Sequence, residues 1–179
     1  RDEAGRPILY ISHSLEEVAR LATTLVLMKE GKVTGAGPLG EVLSGASPGL
    51  SLDRAAAVLQ VQVTGRSADG LNELRLAEGT PLWLPGVPLA EGRQMRLQIP
   101  ARDVMIAREL PQGISALNVL PARILSLTPI SEAEVMVRMA TGGGVIPARI
   151  TTRSAAALEL RPGGQVSAIV KAASLLTGD

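Results

Sequence analysis

The chain has 179 residues, 46% hydrophobic but 1% aromatic, with no cysteine and a formal net charge of +1. These values argue against a disulfide-stapled scaffold and against a nucleic-acid binder, which would need denser cations and aromatic stacking residues. No run of 18 apolar residues and no signal-peptide pattern occurs, the length allows one or two compact domains, and the core has to be built from Val, Leu, Ile and Ala.

Pro7 to Ser12 is a short apolar run of strand formers, and Ser14-Leu-Glu-Glu17 reads as a capping box. That box opens an amphipathic helix with Leu15, Val18, Ala19 and Ala22 at helical spacing. His13 therefore stands at a strand end ahead of a helix, where open α/β sheets bind ligands and a neutral imidazole can donate to a phosphate oxygen. By residue type alone, a histidine between two serines is an ordinary loop residue. A second apolar run, Leu25-Val-Leu-Met28, and a turn at Lys29-Glu-Gly-Lys32 predict a strand and a glycine-containing hairpin. The order strand, histidine, helix, strand, hairpin resembles the histidine switch segment near the end of an ABC-type ATPase domain. The resemblance implies a catalytic role for His13, sensing the terminal phosphate of ATP. No GxxxxGK[ST] loop occurs, so ATP and Mg are expected only in a full-length protein. The chain opens at Arg1-Asp-Glu, in what reads as the tail of a helix. It is expected to be the C-terminal part of a longer protein and inactive as an ATPase by itself.

A cluster of Gly, Ser and Pro between Glu41 and Asp53 marks a change of periodicity, and a domain boundary is placed near Ser51. Beyond it apolar residues alternate: Leu59, Val61, Val63; Leu74, Leu76; Leu82, Leu84; Met95, Leu97, Ile99; Val135, Val137, Met139; Val166, Ala168, Val170. Period two over many short runs broken by turns predicts antiparallel β structure in small barrels. The fold class is thus mostly β with a short α/β segment. By the resemblance above, residues 1–50 are expected to be the end of an ABC ATPase domain, followed by two small OB-like β-barrel lobes, 51–112 and 113–179.

A weak repeat supports paired lobes: shifted by 71 residues, Gly92 to Val104 falls on Gly163 to Leu175, keeping the turn glycine and the alternation. Pro100 then stands where Lys171 stands, so only the second lobe keeps a cation at the strand end. Residues 110–178 carry three acids against six bases, a surface that suits a small anion.

Three pieces of the second lobe, Ile114-Ser-Ala-Leu-Asn-Val-Leu-Pro-Ala-Arg123, Ala148-Arg-Ile-Thr-Thr-Arg-Ser154 and Ala168-Ile-Val-Lys-Ala-Ala-Ser174, resemble the molybdenum-oxyanion-binding (TOBE-like) domain of molybdate-binding proteins and molybdate importer ATPases. Carried over by position, the resemblance implies an oxyanion site at Ser115, Asn118, Thr151 and Lys171, with the backbone at Ala116 and Ala172. The arginine of the family's Ser-Ala-Arg-Asn motif is Leu117 here, which removes one cation. Molybdate is a tetrahedral dianion that only accepts hydrogen bonds, so hydroxyls, backbone N–H groups and one cation suit it, and a carboxylate does not. Taken singly, Ser115 reads as a turn residue, Thr151 as a strand-end residue and Lys171 as a solvated edge lysine. Gly142-Gly-Gly144 reads as a flexible hairpin turn rather than a phosphate loop, Arg102 and Asp103 as a structural pair, and Trp83 as a core or interface residue.

The resemblance implies the ATP-binding subunit of a molybdate ABC importer, a transport ATPase at the cytoplasmic face of the membrane. Its partners would be transmembrane permease subunits and a second copy of itself, with molybdate or tungstate bound between protomers; no nucleic acid and no metal-ion site is expected. Two alternatives stay open: an ATPase subunit for sulfate, a sugar or a polyamine, and a stand-alone oxyanion storage or sensor module.

Overall fold

The computed structural model describes residues 8–47, 49–172 and 176–177. Arg1-Asp-Glu, read as a helix tail, and Ala173 to Leu175, the end of the repeat match, lie outside the described residues. Ser14 caps helix α1 (Leu15–Leu21), its hydroxyl accepting the Glu17 N–H at 3.3 Å. The reciprocal half of the capping box is not made. The Glu17 carboxylate instead accepts from the hydroxyls of Ser12 at 2.7 Å and Tyr10 at 3.0 Å, and Ser12 Oγ takes the Ser14 N–H. The expected strand over Pro7 to Ser12 is not formed: Ile8, Leu9, Tyr10 and Ile11 are exposed, and among the described residues no strand pairs with them. An apolar run becomes a strand only where a neighbour takes its ladder bonds.

The hairpin that follows is as predicted. β1 (Thr24–Lys29) and β2 (Lys32–Pro38) join through Glu30 and Gly31, both with positive φ as a two-residue hairpin turn requires. Helix α2 (Leu39–Glu41) runs into a wide turn over 42–46, where Gly45 at φ 82 closes it. Val42 and Leu43 are fully buried there with Val18, Ala19, Leu25 and Leu39, and Val58 leans on this small core.

Two five-stranded antiparallel sheets make up the rest. Their strands are β3 (Ala56–Arg66), β4 (Asn72–Leu76), β5 (Pro81–Leu84), β6 (Gln94–Pro100), β7 (Val104–Ala107), β8 (Asn118–Pro129), β9 (Glu134–Thr141), β10 (Gly144–Thr151), β11 (Gln165–Val170) and β12 (Leu176–Thr177). The first lobe has the order β12-β6-β3-β4-β5 and the second β10-β9-β8-β11-β7. Each alternating run picked out in the sequence is a strand of these sheets, its apolar residues turned inward. β3 and β8 both carry a bulge, at Val63/Gly65 and Ile124/Ser126, and bulges are what bend a long strand round a curled sheet.

The lobes exchange their last strands. β7 leaves β6 after one short turn and pairs with β11 of the second lobe, while β12 leaves β11 and pairs with β6 of the first. The core is correspondingly continuous, running from Leu59 and Leu97 through Leu120, Ile124 and Val137 without a break between lobes. The glycines of the β9–β10 hairpin serve that junction rather than mobility: a Cβ on Gly143 would come within 2.7 Å of the Leu76 side chain. Helix α3 (Thr152–Ala157) follows β10 directly.

Candidate functional site

The residues assigned to the oxyanion gather only in part. β8 and β11 are antiparallel with Asn118 opposite Val170, so Ser115 to Leu117, just before β8, and Lys171 with Ala172, just after β11, share one end of the sheet. β7 lies on the other side of β11 with Val104 opposite Val170, so Asp103, the last residue of the short turn before β7, also stands at this end of the sheet. Ser115, Leu117 and Lys171 are exposed, Ala116 is buried and Ala172 half-buried. A hydroxyl, main chain and one cation are therefore held together at an open strand end. Asp103 is a residue of this end that sequence reasoning missed, because its place there comes from the strand exchange. It forms no ion pair with Arg102, contrary to expectation, among the described residues.

Asn118 is otherwise employed. Its side chain is fully buried, Oδ1 accepting from the Trp83 N–H at 2.8 Å and Nδ2 donating to the Trp83 carbonyl at 3.1 Å. It thus satisfies the main chain of β5, the edge strand of the first lobe, as a neighbouring strand would, and Trp83 is an interface residue. Thr151 is also committed locally. It is the N-cap of α3, its Oγ1 accepting the Ser154 N–H at 3.0 Å and lying 2.8 Å from Ser154 Oγ. Among the described residues no hydrogen bond joins Thr151 to Ser115, Asn118 or Lys171.

On the same strand as Thr151, Arg149 pairs with Glu134 at 2.7 Å and with Asp53 across the lobes. The hydrogen bond from Arg149 holds the Glu134 carboxyl below its ordinary range. Arg138 of β9 donates to the buried Ser44 hydroxyl at 3.1 Å, so the second lobe grips residues 1–50 as well.

His13 lies exposed immediately ahead of α1, where the strand–histidine–helix reading put the residue, though without the strand. Hydrogen bonds from Ser12 and then Tyr10 hold the Glu17 carboxyl below its usual range and fix the chain on both sides of the imidazole. The His13 carbonyl accepts from Arg54 Nη2 at 3.2 Å. An open cavity of about 310 Å³ lies here, lined by Ser14, Leu15, Arg54, Ala56, Pro100 and Arg102 among others.

Residues 114–176 match the family model described as the TOBE domain. The molybdenum import ATP-binding protein ModC of Rhizobium johnstonii is 41% identical over 177 residues, covering 98% of this chain and 49% of that protein. The protein of the same name from Rhizobium meliloti is 42% identical over 177 residues, covering 98% and 50%. Nearly the whole chain is thus similar to molybdenum import ATP-binding proteins. It spans about half the length of the curated relatives it matches and corresponds to their C-terminal half. Among solved structures, the cytoplasmic molybdate-binding protein ModG in a molybdate-bound form superposes with a TM-score of 0.61 at 22% identity, covering 68% of this chain and 94% of that one. That likeness establishes the fold, a pair of curled OB-like sheets. The similarity to these relatives runs across residues 1–50 as well as the lobes, since 98% of the chain is covered.

Proposed function

We propose that this chain is the C-terminal regulatory part of the ATP-binding subunit of a molybdate ABC importer, a transport ATPase in its full length. The observation that carries this reading is identity at 41% over 98% of the chain with molybdenum import ATP-binding proteins. The phosphate loop and the magnesium ligands of the ATP site lie outside this sequence, which is inactive as an ATPase alone; its own contribution to that site is His13, which senses the terminal phosphate. The subunit sits at the cytoplasmic face of the membrane against transmembrane permease subunits; among the described residues no helix is long and apolar enough to cross.

Molybdate or tungstate binds at the open strand end of the second lobe. Ser115 and the main chain at Ala116 and Ala172 donate hydrogen bonds and Lys171 supplies the charge. Asn118 supports this end through the main chain of Trp83, and Thr151 through the start of α3. Two subunits pair with the oxyanion between them, a reading supported by the exposed Met105, opposite Ile169, and Leu117, just before β8, apolar groups towards this end of the sheet suited to contact with a second copy. Oxyanion binding lowers ATPase activity when intracellular molybdate is plentiful, provided the closed and open dimers differ in affinity for it.

Leu117 in place of the family's arginine, with the carboxylate of Asp103 at the same end of the sheet as Lys171, favours one second reading: an ATPase subunit for another oxyanion or solute, whose lobes are structural. Isothermal titration of the chain with molybdate, tungstate and sulfate separates the two. Saturable binding of the first two but not sulfate is expected, lost in Lys171→Ala. A folded dimer that binds none of them would sink the molybdate reading.

A further inference from the structure

We propose that the first lobe positions the histidine segment through two arginines, Arg54 and Arg96, making them positioning residues for His13. The proposal rests on reading His13 as a residue of the ATP site. Helix α1 has seven residues, too few to persist in isolation, and its last carbonyls need donors from elsewhere. Arg96, on β6, supplies them: its Nη1 lies 2.7 Å from the Ala22 carbonyl, 3.0 Å from that of Ala19 and 3.3 Å from that of Arg20. A cation at that end is also the favourable sign for the helix dipole. At the other end Arg54 holds the His13 carbonyl itself, from the short turn that leads into β3. β3 and β6 are paired, with Gln60 opposite Arg96, so Arg96 stands on the same sheet whose strand β3 begins two residues after Arg54.

The neighbour of Arg54 extends the hold. Asp53 pairs with Arg149 on β10 of the second lobe, and Arg149 also binds Glu134 on β9. Consecutive residues thus grip in opposite directions, Asp53 toward the second lobe and Arg54 toward His13. A shift of β10 relative to β3 is carried to the histidine backbone through three side chains, Arg149, Asp53 and Arg54, and the main-chain link between the last two, without a change in either sheet.

The test uses the full-length subunit assembled with its permease, comparing wild type with Arg54→Ala/Arg96→Ala and with the double Lys variant. Hydrogen exchange of amides 14–22 is expected to quicken about tenfold or more in the double Ala variant while the β strands keep their protection. The kcat for ATP hydrolysis is expected to fall about tenfold with KM for ATP within about twofold, and the Lys pair to recover most of the loss. Unchanged exchange would show that the arginines do not hold the segment. Faster exchange with unchanged kcat would overturn the positioning role and leave a purely structural contact. A wild-type subunit with no ATPase activity would instead sink the underlying ATPase reading, and the exchange measurement would still decide whether Arg54 and Arg96 grip the helix.

Discussion

In the first lobe β3 bulges after Val63, and Val63 exchanges backbone hydrogen bonds with Gly92 and Arg93 at 2.8 and 2.9 Å. In the second, β8 bulges after Ile124, and Ile124 makes the same two bonds with Gly163 and Gly164 at the same lengths. The scaffolds are copies, and the strand ends are where they part. Ala57 and Pro100 in the first lobe correspond by register to Asn118 and Lys171 in the second. Pro100 offers neither charge nor N–H, and its end of the sheet shares an open cavity with Ser14, Leu15 and Arg54 of the histidine side. At the other end Ser115, Leu117 and Lys171 are exposed. One copy of the fold has become a dock for the histidine segment, and its twin has kept a free strand end with a cation on it.

The comparison breaks first if the lobes are separate folding units. Leu59→Ala and its counterpart Leu120→Ala each remove a buried side chain from the shared core and should cost about 2–5 kcal/mol. Urea unfolding followed by fluorescence and circular dichroism should show one transition for both variants; two resolved transitions would mean the lobes fold independently. Asn118→Ala should cost about 1–3 kcal/mol in the same assay, since it strands the Trp83 N–H and carbonyl without partners, whereas Ala57 has no such duty. Lys171→Ala should change stability by less than about 0.5 kcal/mol but weaken molybdate binding about tenfold or more by calorimetry, sharpening the distinction between the two strand ends. The smallest effect concerns Glu134. Its folded-state carboxyl lies below the ordinary 4.5, so the stability that it gains from Arg149 is present above that value and lost as pH falls through the depressed one. The urea midpoints of wild type and Glu134→Gln should therefore differ at neutral pH and converge in acid; a difference that persisted to the lowest pH would exclude this carboxyl as its source.

Much of this architecture was legible because strands with one buried face write their period into the sequence, as Leu59-Val61-Val63 and Met95-Leu97-Ile99 do. The turn glycines Gly92 and Gly163 were legible for a related reason, since both need positive φ. Pairing was not legible: Val104 to Ala107 carries no mark that its partner is β11 rather than a strand of its own lobe. The same limit applies to single polar groups. Asn118 fits an oxyanion motif by position, but its partner is the main chain of Trp83, 35 residues away. Glu17 looked like half of a capping box, and the competition was won by the hydroxyls of Ser12 and Tyr10. Ile8 to Ile11 has the composition of a strand, but no partner strand among the described residues.

The exchange of final strands has a consequence for how such proteins can be rearranged by gene fusion. A single lobe excised at the linear midpoint carries β7 away from the sheet that it completes, or loses β12 from its own, and so exposes an unpaired edge ready to associate with other chains. The portable module is the pair. A designer grafting these lobes onto another protein should move residues from Ser51 onward as one cassette, together with whatever short helix the acceptor offers for Arg54 and Arg96 to grasp.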